Sequence, residues 1–308
     1  MLPLLYPNPM TRDALLEDAQ TAPIPELHRE LFRFAEQFVR GSWNTNRSDL
    51  GRLRAAGLED RDIVHWATLG STQSWFTMSA DGGGVPLDGN AITGPAVGRK
   101  REAYGATPER LGPPIAALES DRRDDEIAMV GLDETSDAYH ETANWATKHY
   151  GFVPNLLRAV SLQPGFYRRH RLALELLEAP QSKSLEPRHH AMVRALVSHL
   201  NRSAYHEATA RELLDRAGAE EGVFDQLRDD PLGMDWSPVD RAVLAFATKI
   251  GLNAYKVTEK DASSLREVGL DDEAYVDILN TVSIQTSLDR LANTLGVRPD
   301  SAPLLPQS

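Results

Sequence analysis

From Glu134 onward, apolar residues recur at three- and four-residue spacing and no run alternates with period two. The pattern therefore predicts helices nearly throughout and no strand, and the fold class is all-α. Pro154, Pro164, Pro187 and Pro238 fall where helices begin, since a first turn tolerates a residue without an N–H. Ser237-Pro-Val-Asp240 has the shape of an N-terminal capping box with Asp in place of Glu, and Thr258-Glu-Lys-Asp261 repeats it. On a helix from Pro187 to Leu200, His189, Met192, Leu196 and His199 share one stripe, and His190, Val193 and Val197 share the next. His206 then aligns with Ala210 and Leu213, so His199 and His206 are both expected to face inward.

The pattern also recurs. Sliding residues 34–85 onto 246–297 without gaps gives about 14 identities in roughly 52 positions, among them Phe34 with Phe246, Gly57-Leu58 with Gly269-Leu270, Gln73 with Gln285 and Gly84-Val85 with Gly296-Val297. Both copies predict one unit. A first helix ends near a polar turn, a short helix closes at Gly57 or Gly269 as a glycine cap, and a long helix follows Asp60 or Asp272. Between the copies, Gly82–Leu132 is rich in glycine and proline and carries the charge run Glu119–Glu126. It reads as a linker or surface excursion, and without Gly-Lys-Ser/Thr it is not a phosphate loop.

Charge and composition narrow the partners. A formal charge of −12 over 308 residues argues against nucleic acid, which needs a concentrated basic surface. No apolar run approaches the roughly 18 to 20 residues that span a bilayer, so no membrane partner is expected. The first residues, MLPLLYPNPMTRD, are apolar only briefly and hold three prolines, unlike a secretory signal, and the expected location is the cytoplasm.

Leu185–Leu214 resembles the helix pair of the alkylhydroperoxidase D-like and carboxymuconolactone decarboxylase superfamily, in which a helix with an early Glu meets an Asn-containing break and a second helix opens Cys-x-x-Cys-x-x-x-His. On that pattern the two Cys positions fall on Ser203 and His206, the His position on Ala210 and the Glu position on Ala191. The resemblance extends to His149–Arg158, Gln163–Phe166 and Arg290–Val297, covering residues 135–300. It implies a helical bundle of that family built as a tandem pseudo-repeat: a truncated N-terminal copy at 1–98, a linker or surface excursion at 99–132 and a complete C-terminal domain at 133–308. The peroxidatic chemistry of such a pair needs a thiolate and a resolving thiol. This chain has no cysteine, so it is not a thiol peroxidase acting alone.

Cysteine-free relatives include decarboxylases and other acid–base enzymes. The resemblance thus implies a lyase- or isomerase-like enzyme without a cofactor, acting on a small carbonyl, lactone or carboxylate metabolite. His206 is the expected general acid/base, with Ser203, Tyr205 and His199 positioning the substrate. Trp145, His149, Tyr167, His170 and His190 are candidate binding residues. Blander readings stand beside these: Ser203 as a plain helix cap, His206 as a buried ring bonded to a backbone carbonyl, and the aromatics as core. Two further alternatives are a non-catalytic scaffold of the same fold and a histidine-ligated metal protein, although no His-x-x-x-His pair supports the latter. A homo-oligomer is also compatible with the family.

Overall fold

The computed structural model describes residues 6–85, 136–233 and 235–306. Among them are thirteen α-helices and no strand: α1 (Pro9–Glu17), α2 (Glu26–Gly41), α3 (Arg47–Ala55), α4 (Asp60–Gly82), α5 (Asp137–Tyr150), α6 (Asn155–Ala159), α7 (Tyr167–Glu178), α8 (Pro187–Leu200), α9 (Ala204–Arg216), α10 (Val223–Asp229), α11 (Pro238–Asn253), α12 (Glu259–Glu267) and α13 (Asp272–Leu295). The linker expected at 99–132 lies outside the described residues. No helix among those described is long and apolar enough to cross a membrane.

Local chemistry sets the helix ends. Pro187 and Pro238 occupy the first turns of α8 and α11, Pro154 precedes α6, and Pro164 opens a single 3₁₀ turn. Thr258 and Asp261 form the reciprocal capping box that the sequence suggests. Ser237 forms only half of one. Its Oγ accepts from Asp240 N at 3.1 Å, but Asp240 Oδ2 takes the Ser237 hydroxyl at 2.7 Å and Oδ1 faces Arg188 at 2.8 Å and His189 at 3.1 Å instead of the Ser237 backbone. Gly57 and Gly269 close α3 and α12 at φ +99° and +89°, the left-handed region that penalises a Cβ.

The helices α2, α3 and α4 start at 26, 47 and 60, and α11, α12 and α13 start 212 positions later at 238, 259 and 272. The two long helices of these units lie against each other. Ser71 Oγ donates to the Ser287 carbonyl at 3.1 Å, Arg290 Nη1 donates to Ser74 Oγ at 2.7 Å, and the Tyr275 hydroxyl donates to the Gly82 carbonyl.

Two apolar clusters flank α13. One joins Phe34, Leu50 and Ile63 to Tyr139, Leu156, Ile284 and Leu288; the other joins Met192 and Leu196 to Val243, Leu244, Ile278 and Val282. Because α13 packs on α4, α7, α8, α9 and α11, every residue from Thr281 to Asp289 is buried, two full turns with no solvent face. Polar side chains there must find partners inside the protein.

The two glycine environments predict opposite responses to alanine. Gly269→Ala places a Cβ at φ +89° and should destabilise by about 1 kcal/mol. Gly51→Ala, inside α3 with open space around it, should stabilise by up to about 1 kcal/mol. Urea midpoints of the two variants that move in the same direction would contradict this reading of the backbone.

Candidate functional site

Ser283 and Ser287 bond carbonyls of their own helix, whereas Gln285, Thr286 and Asp289 find partners from α8, its C-terminal turn and the start of α9. Arg194 and Ser198 on α8 and Asn201 at its C-cap follow one another at three- and four-residue spacing, facing Gln285 and Asp289 one turn apart on α13. Arg194 Nε donates to Gln285 Oε1 at 3.1 Å, Gln285 Nε2 donates to Asp289 Oδ1 at 3.0 Å, and Asn201 Nδ2 donates to Asp289 Oδ2 at 3.2 Å. A buried polar seam therefore runs between the two helices.

The turn from α8 into α9 is shaped to reach it. Arg202 N–H bonds to the His199 carbonyl at 3.0 Å and Ser203 N–H to the Ser198 carbonyl at 2.9 Å, the paired bonds of a Schellman motif. Arg202 takes the left-handed position at φ 51°, where glycine is usual, and its guanidinium lies 4.8 Å from the Trp43 ring centre. The chain thus reverses tightly and brings His206, in the first turn of α9, onto Asp289.

His206 Nδ1 lies 2.7 Å from Asp289 Oδ1, with 3% of the histidine side chain exposed and none of the aspartate. An ionised carboxylate only accepts, so Nδ1 carries the proton and donates it to Asp289. That choice leaves the lone pair on Nε2, which has no hydrogen bond among the described residues. Ser203 Oγ sits 3.4 Å from Nδ1, the wrong nitrogen for an Asp-His-activated nucleophile. Ser203 also makes no capping bond, so it is neither a plain cap nor a primed nucleophile. The blander expectation for His206, a backbone carbonyl partner, is replaced by the carboxylate.

The other expected residues separate into groups. Tyr205 packs edge-on against His206 at 4.7 Å, but its hydroxyl donates to Asp300 Oδ2 at 2.6 Å and accepts from Leu156 N–H at 3.3 Å. Burial, reinforced by Asp300, raises the Tyr205 pKa well above its usual value, so the phenol stays a donor. His199 turns away to the Phe224 carbonyl at 3.2 Å, with its ring edge-on to the Phe224 ring at 4.5 Å. Trp145 stacks on His149 at 5.1 Å, and His149 Nε2 and the Tyr150 hydroxyl bond Glu178 at 2.7 and 2.6 Å. Tyr167 is fully enclosed against Tyr139. His170 is buried with an unpartnered Nδ1, and burial pushes its pKa down to about 3. His190, whose Nε2 is also sealed and unpartnered, is lowered by burial against the pull of Asp277. Among the described residues no three His, Asp or Glu side chains group to hold a metal ion.

None of Asp289, Gln285, Asn201, Arg194 and Glu178 was expected at the site from the sequence, where Gln285 entered only through the recurrence and Asn201 only as the Asn of the break. A faint signal existed in Arg194, an arginine inside the apolar run Ala191–Val197. A recess of about 130 Å³ bounded by Arg211, Glu220 and Phe224 contains no member of the His206 seam. Ala191 and Ala210, on the Glu and His positions of the redox pattern, belong to the apolar cluster around Met192 and Leu196.

No family model and no curated protein matches the chain. Among solved structures it is similar to the crystal structure of an alkylhydroperoxidase AhpD core, described as an uncharacterized peroxidase-related protein from Ralstonia eutropha JMP134. The identity is 25% and the TM-score 0.51, over 58% of this chain and 96% of that one.

Burial holds His170 and His199 neutral, with pKa values pushed down to about 3 and about 4. Unfolded histidines protonate near 6.5, so below that pH the unfolded chain binds protons that the folded chain refuses. The stabilisation from these rings is full above about pH 6.5 and declines as pH falls toward 4 and then 3. The loss of unfolding free energy between pH 7.5 and pH 5 should be smaller in His170→Leu than in the parent; equal losses in urea titrations would refute this.

Proposed function

We propose that this chain, an alkylhydroperoxidase D-like protein without cysteine, is a cofactor-free acid–base enzyme in which His206 moves a proton next to a carbonyl of a small lactone, enol or carboxylate. The observation that carries this reading is the sealed Asp289–His206 pair, which fixes the tautomer and leaves Nε2 basic. Proton capture at Nε2 makes an imidazolium whose charge is balanced by Asp289 at 2.7 Å, where low polarity strengthens the attraction. A positioned base of this kind contributes about 10²- to 10⁴-fold to a rate. Both Asp289 and Ser203 address Nδ1, which favours proton transfer over nucleophilic hydrolysis. In this proposal Ser203 steadies the ring, while Tyr205 and His199 hold the surrounding helices. Trp145, His149, Tyr167, His170 and His190 form the surrounding wall. The recurrence of three helices at a 212-residue offset supports an origin by duplication, with 133–308 carrying the site.

The test is hydrogen–deuterium exchange at carbon, followed by proton NMR in D₂O, over a panel of γ-lactones and oxo-carboxylates. The parent should exchange at least one compound. His206→Gln, which keeps a donor toward Asp289 without a basic nitrogen, should lower that rate by about 100-fold or more with an unchanged melting temperature. Exchange insensitive to His206→Gln would reject the reading.

A non-catalytic interaction protein of the same fold is the second reading, favoured by the exposed apolar side chains Trp66, Leu69 and Phe76 on α4. A stable heteromeric complex that survives His206→Gln and is lost in Trp66→Glu would favour it over the enzyme.

A further inference from the structure

Arg194 is more than nine-tenths buried, yet among the described residues no carboxylate oxygen reaches it within ion-pair distance. A guanidinium removed from water without a counter-ion is destabilising, because nothing replaces its hydration. Glu178, Tyr150 and Asp289 lie close enough to act on it electrostatically, but each is committed elsewhere. Glu178 is bonded by Tyr150 and His149, and Asp289 by His206, Gln285 and Asn201. Gln285 Oε1 fixes only the Arg194 Nε, at 3.1 Å. The two terminal nitrogens make no hydrogen bond among the described residues, and with one of them Nε would normally complete the fork that matches a carboxylate. Those terminal nitrogens are not among the sealed atoms, so they border accessible space.

The same glutamine links this cation to the base. Arg194, Gln285, Asp289 and His206 form one chain of bonds of 3.1, 3.0 and 2.7 Å across α8, α13 and α9. A positive fork and a basic imidazole nitrogen are therefore held in fixed relation by a shared pair of side chains.

We propose that Arg194 is the anchor for the carboxylate of a small carboxylic-acid substrate, gripping it through the terminal nitrogens while the reacting carbon is presented to His206. The reacting half of this statement rests on the acid–base reading of His206; the binding half stands without it. His206 Nε2 takes the proton from the carbon beside the carbonyl, the C–H electron pair becomes the C=C bond of an enolate as the C=O π pair moves onto oxygen, and the imidazolium returns the proton to carbon as the carbonyl re-forms. Arg194 offsets the second negative charge that the enolate adds to the carboxylate.

The test compares 5-oxotetrahydrofuran-2-carboxylate, a lactone bearing one carboxylate, with its neutral carboxamide by NMR titration of the full chain. The parent should bind the acid at least about tenfold tighter than the amide. Arg194→Gln should lose about 10- to 100-fold for the acid while leaving the amide unchanged. His206→Gln should retain acid binding, so loss of exchange with binding intact separates the two readings. Arg194→Met should melt no lower than the parent, since an apolar replacement for a buried unpaired charge is neutral or stabilising, whereas a structural arginine would lower it. A parent that fails to prefer the acid, or to bind it at millimolar concentration, overturns the proposal without reference to any variant. So does Arg194→Gln that binds the acid as well as the parent.

Discussion

A carboxylate with no exposed surface, Asp289, ties the molecule together. Taking it out of water is unfavourable by several kcal/mol unless its oxygens are paired, and its three donors come from His206 on α9, Asn201 at the end of α8 and Gln285 one turn back on α13. Those bonds fix the angle between the helix pair and α13. They also offset the left-handed backbone of Arg202, a strain of roughly 1–2 kcal/mol for a residue with a Cβ. Asn293 closes the arrangement by donating to the Asn201 carbonyl at 2.8 Å.

The helix pair differs from the redox pattern it resembles at each of that pattern's reactive positions. The positions that correspond to the Glu and His of the redox pattern hold Ala191 and Ala210, and both pack into an apolar cluster. His206 stands on the second Cys position, and its partner is drawn from α13 instead of the helix pair. The first copy of the recurring unit contributes no member of this network. It supplies α4, which packs on the face of α13 that carries Ser287 and Arg290.

Much of the frame was legible because it depends on neighbours in sequence. Prolines mark helix starts, Gly57 and Gly269 mark stops, and Thr258 with Asp261 forms its box from residues three apart. The exception at Ser237 is instructive. Its partner Asp240 obeys the local pattern until Arg188 and His189, some 50 residues away, compete for the carboxylate. The inward orientation of His199 and His206 was also readable from helical periodicity, but inwardness did not say what each would meet. One reaches a backbone carbonyl and the other a carboxylate.

The sequence by itself determined the helical class, several helix starts and stops, the 212-residue recurrence and the lack of any thiol, since each follows from residue type and short-range spacing. Tertiary structure alone decided that His206 pairs with Asp289, 83 positions away, that the proton sits on Nδ1, and that Arg194 is buried beside a neutral amide. An aspartate or arginine in a helix reads as solvated until the packing on every side is known. The electrostatics of a site depend on which groups share a dry volume, and only the folded chain brings those groups together.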